Sequence, residues 1–459
     1  MTSSGQLAEF AFGLRLAAIP GEVIEVAKWH VLDTLGVALA GKETEASRAV
    51  WGVVQEFGGK GESTVWGSRV RLPSASAAMI NGTYAHALDF DDSHLLSVIH
   101  PSATLVPALL AQAEADGADG AEFLVGLVAA YEIILRLGIA QVDPELGNSV
   151  FFERGAHATS ILGTVAAAVG CARTRGLSPA QLSHALAIAC SMGAGILEAN
   201  RSGGSVKQAH CGWAAHAAVL AASFASHGLT GPASVLEGRF GLFQNFCGDR
   251  WNEAALTEGL GSTWLTSELA LKPYPCNMFT HCIVDAAIAL KQRGVGPNDV
   301  AEVTIHTAAA PWRTIGDPIE DKRRPRTPYH AAFSAPFVFA CALVGGGGLG
   351  LALSDFTETM FLDPVRRRLA EKCSVVIDEG CTAVFPRHAA AIVEVVTHEG
   401  RRIEEKVMVN RGSPERPLSR DEVMLKLRST AGGKAGGLVA AVADLETKGS
   451  VSGVIEACV

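Results

Sequence analysis

Small side chains recur at helical spacing through the first 265 or so residues, and this pattern restricts the chain to closely packed helices. Apolar residues make up 48% of the sequence but aromatics only 6%, so alanine carries much of the apolar content, alongside 49 glycines. Short side chains let helix axes approach closely, which favours an Ala-rich, mainly helical body. Ile24 to Ala40 and Glu122 to Ile139 both place apolar residues at helical intervals. Within the second, Glu132 and Arg136 stand four apart and read as a surface ion pair. Ser178-Pro179 opens a further helix, the serine as its cap and the proline in its first turn. Lys207 to Ser226 forms another, ended by His227-Gly228.

The period then changes. Val303 and Ile305 alternate with polar neighbours in AEVTIHT, CSVVID is short and β-branched, and AIVEVVTHEGRRIEEKVMVN reads as two strands joined at Glu399-Gly400. Helical segments follow His281 and run from Ala331 to Val344. With 459 residues, too many for one ordinary core, the chain is expected to form two domains. A helical domain takes residues 1–266 and 406–459, and a smaller α+β segment takes 267–405. In the returning tail, Ser419 and Glu422 fit a capping box. The run GGGGLG, 345–350, matches a dinucleotide fingerprint only formally, since it follows a helix, and is expected to stop that helix.

The formal charge of −9, with no run of five basic residues, provides no stripe to neutralise phosphates and argues against nucleic acid. None of the 10 cysteines forms a Cys-x-x-Cys pair, so buried free thiols are expected and an iron–sulfur cluster is not. The opening MTSSGQLAEFAFGLRLAAIPGE has no basic start before an apolar core, so no secretory leader is expected. Uncharged stretches near 155–172 and 208–228 are too weakly apolar for a membrane span. A cytoplasmic-type protein is expected.

Polar residues crowd into four places. NGTYAHALDFDDSHLLSVIHPSA, 81–103, holds His86, Asp89, Asp91, Asp92, His94 and His100. Helix capping and a solvated acidic turn would account for any one of them, but less readily for the set. His100 precedes a new helix, where exposed N–H groups favour anions. RGAHATS places His157 before another apolar helix. In RSGGSVKQAH, Gly203, Gly204 and Ser205 can present N–H groups at a helix start, while Lys207 and His210 share a helix face. That combination suits a carboxylate. LALKPYPCNMFTHCIVDAA sets Lys272 before two prolines and starts a helix at His281. One different class stays open: His86, Asp89, Asp91, Asp92 and His94 could ligate a divalent metal in a hydrolase, although a metal centre would leave Lys207 and Lys272 without a role.

NGTYAHALDFDDSH with HPSA, GAHATSILG, VKQAHCGWAAHAA with TGPASVLEGRFG, ALKPYPCNMFTH, and the tail RGSPERPLSRDEVMLKLRS together resemble the MmgE/PrpD family, in its order and over nearly the whole chain. The resemblance implies a mainly α fold, with a large all-helical domain built from both chain ends and a smaller α+β lid. It also implies a homodimer, no metal, no cofactor, and a site between the domains. By position, that site would use Asp89, His100, His157, Lys207 and Lys272 for catalysis. Ser93, Ser205, His210, Asn277 and His281 would bind substrate. The activity implied is that of a metal-independent lyase or isomerase working at carbon α to a carboxylate of a small polycarboxylic acid, first of all a 2-methylcitrate-dehydratase-like hydro-lyase. An iminodisuccinate-type epimerase and a cis-aconitate-type decarboxylase are the alternatives. In the decarboxylase branch a histidine would stand five positions after Lys272, where this chain has Asn277; in the dehydratase branch Asn would stand where this chain has Asp91.

Overall fold

The structure is a computed structural model describing residues 1–459, apart from the side chains of 201 and 202. The fold is mainly α, and the chain divides into two compact units. Met1–Ala87, Asp91–Leu269 and Thr430–Val459 form the larger; Leu88–Phe90 and Ala270–Ser429 form the smaller.

The helices that matter in the larger unit are α1 (Gly21–Gly41), α2 (Ser74–His86), α3 (Ser102–Asp116), α4 (Gly120–Ala140), α5 (Ala158–Thr174), α6 (Pro179–Cys190) and α7 (Val206–Ser226). Ser178 and Gln181 form a capping box at the start of α6, with Pro179 in its first turn. α7 packs on α2, α5 and α6. Its approach to α2 depends on glycine: a Cβ on Gly212 would fall 2.2 Å from both the Met79 carbonyl oxygen and Thr83 Oγ1. Gly82 on α2 faces the Cys211 carbonyl in the same way, at 3.0 Å. One turn beyond Gly82 stands His86, and one turn before Cys211 stands Lys207. The small-residue pattern read from the sequence therefore sets the spacing of the polar groups these helices carry.

α4 is long and apolar enough to cross a membrane, but 94% of its apolar window is buried inside the protein. It is a core helix, apolar on all sides. The Glu132–Arg136 pair is accordingly not at the surface: both side chains are buried, and the carboxylate also accepts from Leu265 N, Thr266 N and Thr266 Oγ1. Arg136 donates onward to the Thr263 carbonyl. Spacing identified the partners but not the face they occupy. Removing one member of a buried pair strands the other charge, so Glu132→Ala is expected to cost about 3–5 kcal/mol, whereas an apolar replacement of both should cost much less. Urea-unfolding midpoints of the single and double variants check this, and equal losses would contradict it.

In the smaller unit, β1 (Val300–Thr307), β2 (Cys373–Ile377), β3 (Ala391–Thr397) and β4 (Arg402–Val407) form one sheet in the order β2-β1-β3-β4. β1 pairs parallel with β2; the other pairs are antiparallel. Strict burial alternation along β3 fixes the register, because a one-residue slip would turn Val393 and Val395 to the wrong face. α8 (His281–Gln292) covers β3 and β4 and packs on α9 (Ala335–Val344), which stops at Gly345 with φ 117°. The expected glycine helix stop is present.

The smaller unit extends to Ser429, beyond the boundary at 405 expected from sequence. Specific bonds hold the extra stretch. Arg411 donates to Tyr274 Oη, Arg416 to Asp285, and Lys426 to the Phe90 carbonyl while its ammonium lies 4.1 Å from that ring's centre. Ser419 and Glu422 form the expected capping box, Ser419 N donating to Glu422 Oε2 at 2.7 Å. All ten cysteines are free thiols, and only Cys190 is not fully buried.

Candidate active site

At the C-terminal end of α2, His86 is fully enclosed, its Nδ1 2.7 Å from Asp91 Oδ2. A carboxylate can only accept, so Nδ1 carries the proton and Nε2 is left to face the interior. Among the described residues, His86 Nε2 has no hydrogen-bond partner. Burial works against a charged ring here, but Cys211 and the Asp91 carboxylate outweigh it and push His86 up to about 9.

Two further histidine rings lie against His86, with centroids 5.6 Å away in each case: His100 and His157. His100 Nδ1 donates to the Asp92 carbonyl at 2.7 Å, with Ser93 Oγ 3.1 Å from the same nitrogen. That bond fixes the tautomer and leaves Nε2 with a lone pair when the ring is neutral. His157 caps α5, and its backbone N–H donates to Gly195. Its Nδ1 lies 2.9 Å from His210 Nδ1, so one ring must donate and the other accept. Burial and then Lys207 hold His157 well below its ordinary value, and burial, His86 and Lys207 bring His210 down to about 4. Lys207 itself is buried in the first turn of α7. The larger unit thus gathers four imidazoles and an ammonium out of solvent.

In the smaller unit, Lys272 Nζ donates to Asp89 Oδ1 at 2.6 Å and to the Asp89 carbonyl at 2.9 Å. Asp89 takes a left-handed φ of 51°, a conformation that Asp tolerates better than most residues and one found preferentially at functional sites.

The remaining residues read from sequence are engaged differently. Asn277 Oδ1 accepts from Phe279 N, capping a short turn. His281 Nε2 donates to the Cys276 carbonyl and packs edge-on to Tyr274; burial, then Lys272, pushes it down to about 3. Ser205 is exposed and makes no side-chain cap. Of the five ligands of the metal-hydrolase reading, Asp92 and His94 are engaged elsewhere, whereas Asp91 with His100 belongs to a grouping whose ligand atoms lie within 4.8 Å of one another. Asp91 pairs with His86, while Asp92 takes His30 and the N–H and hydroxyl of Ser102 at the start of α3. His94 takes Ser97 and Glu268.

Two family models match most of the chain, the MmgE/PrpD N-terminal domain over residues 5–254 and the C-terminal domain over 274–443, with Lys272 in the stretch between them. The chain belongs to the MmgE/PrpD family. A cis-aconitate decarboxylase-like protein of Aspergillus oryzae is 26% identical over 93% of this chain and 90% of its own length. The cis-aconitate decarboxylase of Aspergillus terreus is 25% identical over 94% and 89%, and that of Homo sapiens 27% identical over 91% and 85%. Family membership and these relatives support an enzyme of the lyase class.

For an MmgE/PrpD protein, the group most easily missed in the sequence is His86. In the sequence it reads only as part of a capped acidic turn or as a metal ligand. Its i,i+5 relation to Asp91 spans a helix end, where no periodic rule brings two side chains together.

Proposed function

We propose that this MmgE/PrpD protein is a lyase acting at carbon α to a carboxylate of a small polycarboxylic acid, and within that class a hydro-lyase. One observation carries the reading: neutral imidazoles, His157 hydrogen-bonded to His210, lie buried beside the Lys207 ammonium. A proton α to a carboxylate is weakly acidic, and its removal leaves charge on the carboxylate oxygens. A fixed cation in a water-poor site stabilises that charge where it develops. An uncharged imidazole can take the proton. Elimination then breaks the carbon–oxygen bond at the neighbouring carbon, with the electron pair leaving on oxygen. A protonated group returns the proton to that oxygen, so water and an unsaturated acid result. Lys272, paired with Asp89 in the smaller unit, is a further buried cation suited to a carboxylate.

A decarboxylase is the second reading, favoured by the names of the relatives. Asn277 speaks against it: an amide whose oxygen is committed to the Phe279 N–H has no proton to give to a carbanion at neutral pH. An epimerase would use the same base without expelling hydroxide.

Proton NMR in D₂O tests the proposal, with 2-methylcitrate, citrate, cis-aconitate, citramalate and iminodisuccinate offered in turn to chelator-treated protein. Loss of water from one acid is the expected result. Release of carbon dioxide from cis-aconitate, or deuterium uptake without elimination, would replace the hydro-lyase with the second reading or the epimerase. Turnover of none of them until a divalent metal is added would overturn the lyase.

A further inference from the structure

His86 is the buried group to which the lyase chemistry above gives no work. Its surroundings are those of a proton carrier. Asp91 fixes one nitrogen; Cys211 and Lys207 lie close enough to influence its charge; and the His100 and His157 ring centroids each lie 5.6 Å from that of His86. The Nε2 atom is enclosed without a hydrogen-bond partner among the described residues. A buried N–H left unmatched costs about 1–3 kcal/mol, a cost that persists where it serves a function. No neighbouring carboxylate or carbonyl quenches it, so the atom is held ready to bond to whatever the adjacent rings present.

Elimination creates a need for such a group. The base ends the step holding the proton taken from carbon, and the acid ends it having given its proton to the leaving oxygen. Substrate and product balance as one acid against one unsaturated acid plus water, so the proton on the base must reach the spent acid before the next turnover. Of the imidazoles in the cluster, His157 and His210 are poor holders of charge, crowded by Lys207, and His100 has Nδ1 committed to the Asp92 carbonyl. His86 is paired with the Asp91 carboxylate.

We propose that His86, held by Asp91, is a positioning and proton-relay residue that passes a proton through Nε2 between the His157 and His100 imidazoles and so resets the site after each turnover. The assignment rests on the lyase reading, and its test separates the two. In the first arm, ¹⁵N-histidine NMR of the substrate-free protein at pH 7 should show His86 with both nitrogens protonated, and Asp91→Asn should convert it to a neutral tautomer. A neutral His86 ring in the wild-type protein overturns the relay whether or not any acid is turned over.

In the second arm, His86→Gln and Asp91→Asn are assayed in D₂O on the acid that the wild-type protein dehydrates. Resetting should fail while proton abstraction survives. Water loss is expected to fall about 100-fold, within the range for general acid–base groups, with deuterium exchange at carbon α falling less than about tenfold. Equal losses in exchange and elimination, or no loss in either, would overturn the relay. Failure of the wild-type protein to act on any of the acids would remove the lyase reading and leave the first arm to decide the state of His86.

Discussion

Lys207→Ala is expected to lower kcat/KM by about 10³-fold, close to 4 kcal/mol of transition-state stabilisation, while leaving the fold intact. The size follows from position. The ammonium lies in the first turn of α7, buried, beside two imidazoles that it helps to keep uncharged. Truncation removes the cation that would face the developing negative charge, in a setting where water cannot replace it. The same change has a second readout. Lys207 follows burial among the causes that depress His157, and it also lowers His210, so without it both rings should titrate closer to neutral pH. The acidic limb of the pH–rate profile should then move upward in the variant, though only in part, since burial remains. Circular dichroism controls for folding. Near-normal activity with an unmoved profile would show that Lys207 has no place in the chemistry.

How far the sequence foretold this site depends on the kind of signal each residue left. Periodicity and caps made the helices and the four-stranded sheet legible, because both record local geometry: Ser178-Pro179, Ser419 with Glu422, and the alternation along β3 are where the residues said they would be. Spacing does not record burial. Glu132 and Arg136 keep the i,i+4 relation of a surface pair yet lie in the core, and the clue was the helix around them, apolar on every side. Nor does spacing record contacts made across long stretches of chain. Lys272 meets Asp89 from 183 residues away, and His157 meets His210 from 53. Each of these residues stood out within its own segment of the sequence, but no local rule paired them before the structure joined them. Asn277 and His281 show the converse. They sit within a motif of the family, but each spends a polar atom on its own segment's backbone.

Acid should destabilise this protein well before its carboxylates titrate, because histidines buried without charge oppose the fold as pH falls. In the unfolded chain, His157, His210 and His281 would each titrate near 6.5. In the folded chain, His157 lies well below that, His210 is brought to about 4 and His281 to about 3. Below about pH 6.5 the unfolded state therefore binds protons that the folded state refuses, and stability falls until the folded values are reached. At pH 5 His210 and His281 should each cost about 2 kcal/mol relative to pH 7.5, and His157 acts in the same direction. His86 acts in the opposite sense. Its folded value, pushed up to about 9, lies above the unfolded one, so its contribution is complete below about 6.5 and fades as pH rises through 9. It returns only about 1 kcal/mol between pH 7.5 and 5, since below about 6.5 the unfolded ring binds the same proton. Both units should thus lose stability across this interval, the smaller by about 2 kcal/mol. Urea unfolding followed at pH 7.5, 6 and 5 measures the slope, with His281→Asn expected to flatten it for the smaller unit alone. A flat profile across that range would mean that the buried rings titrate as they do in water, and the argument that His157 stands ready as an uncharged base would fall with it.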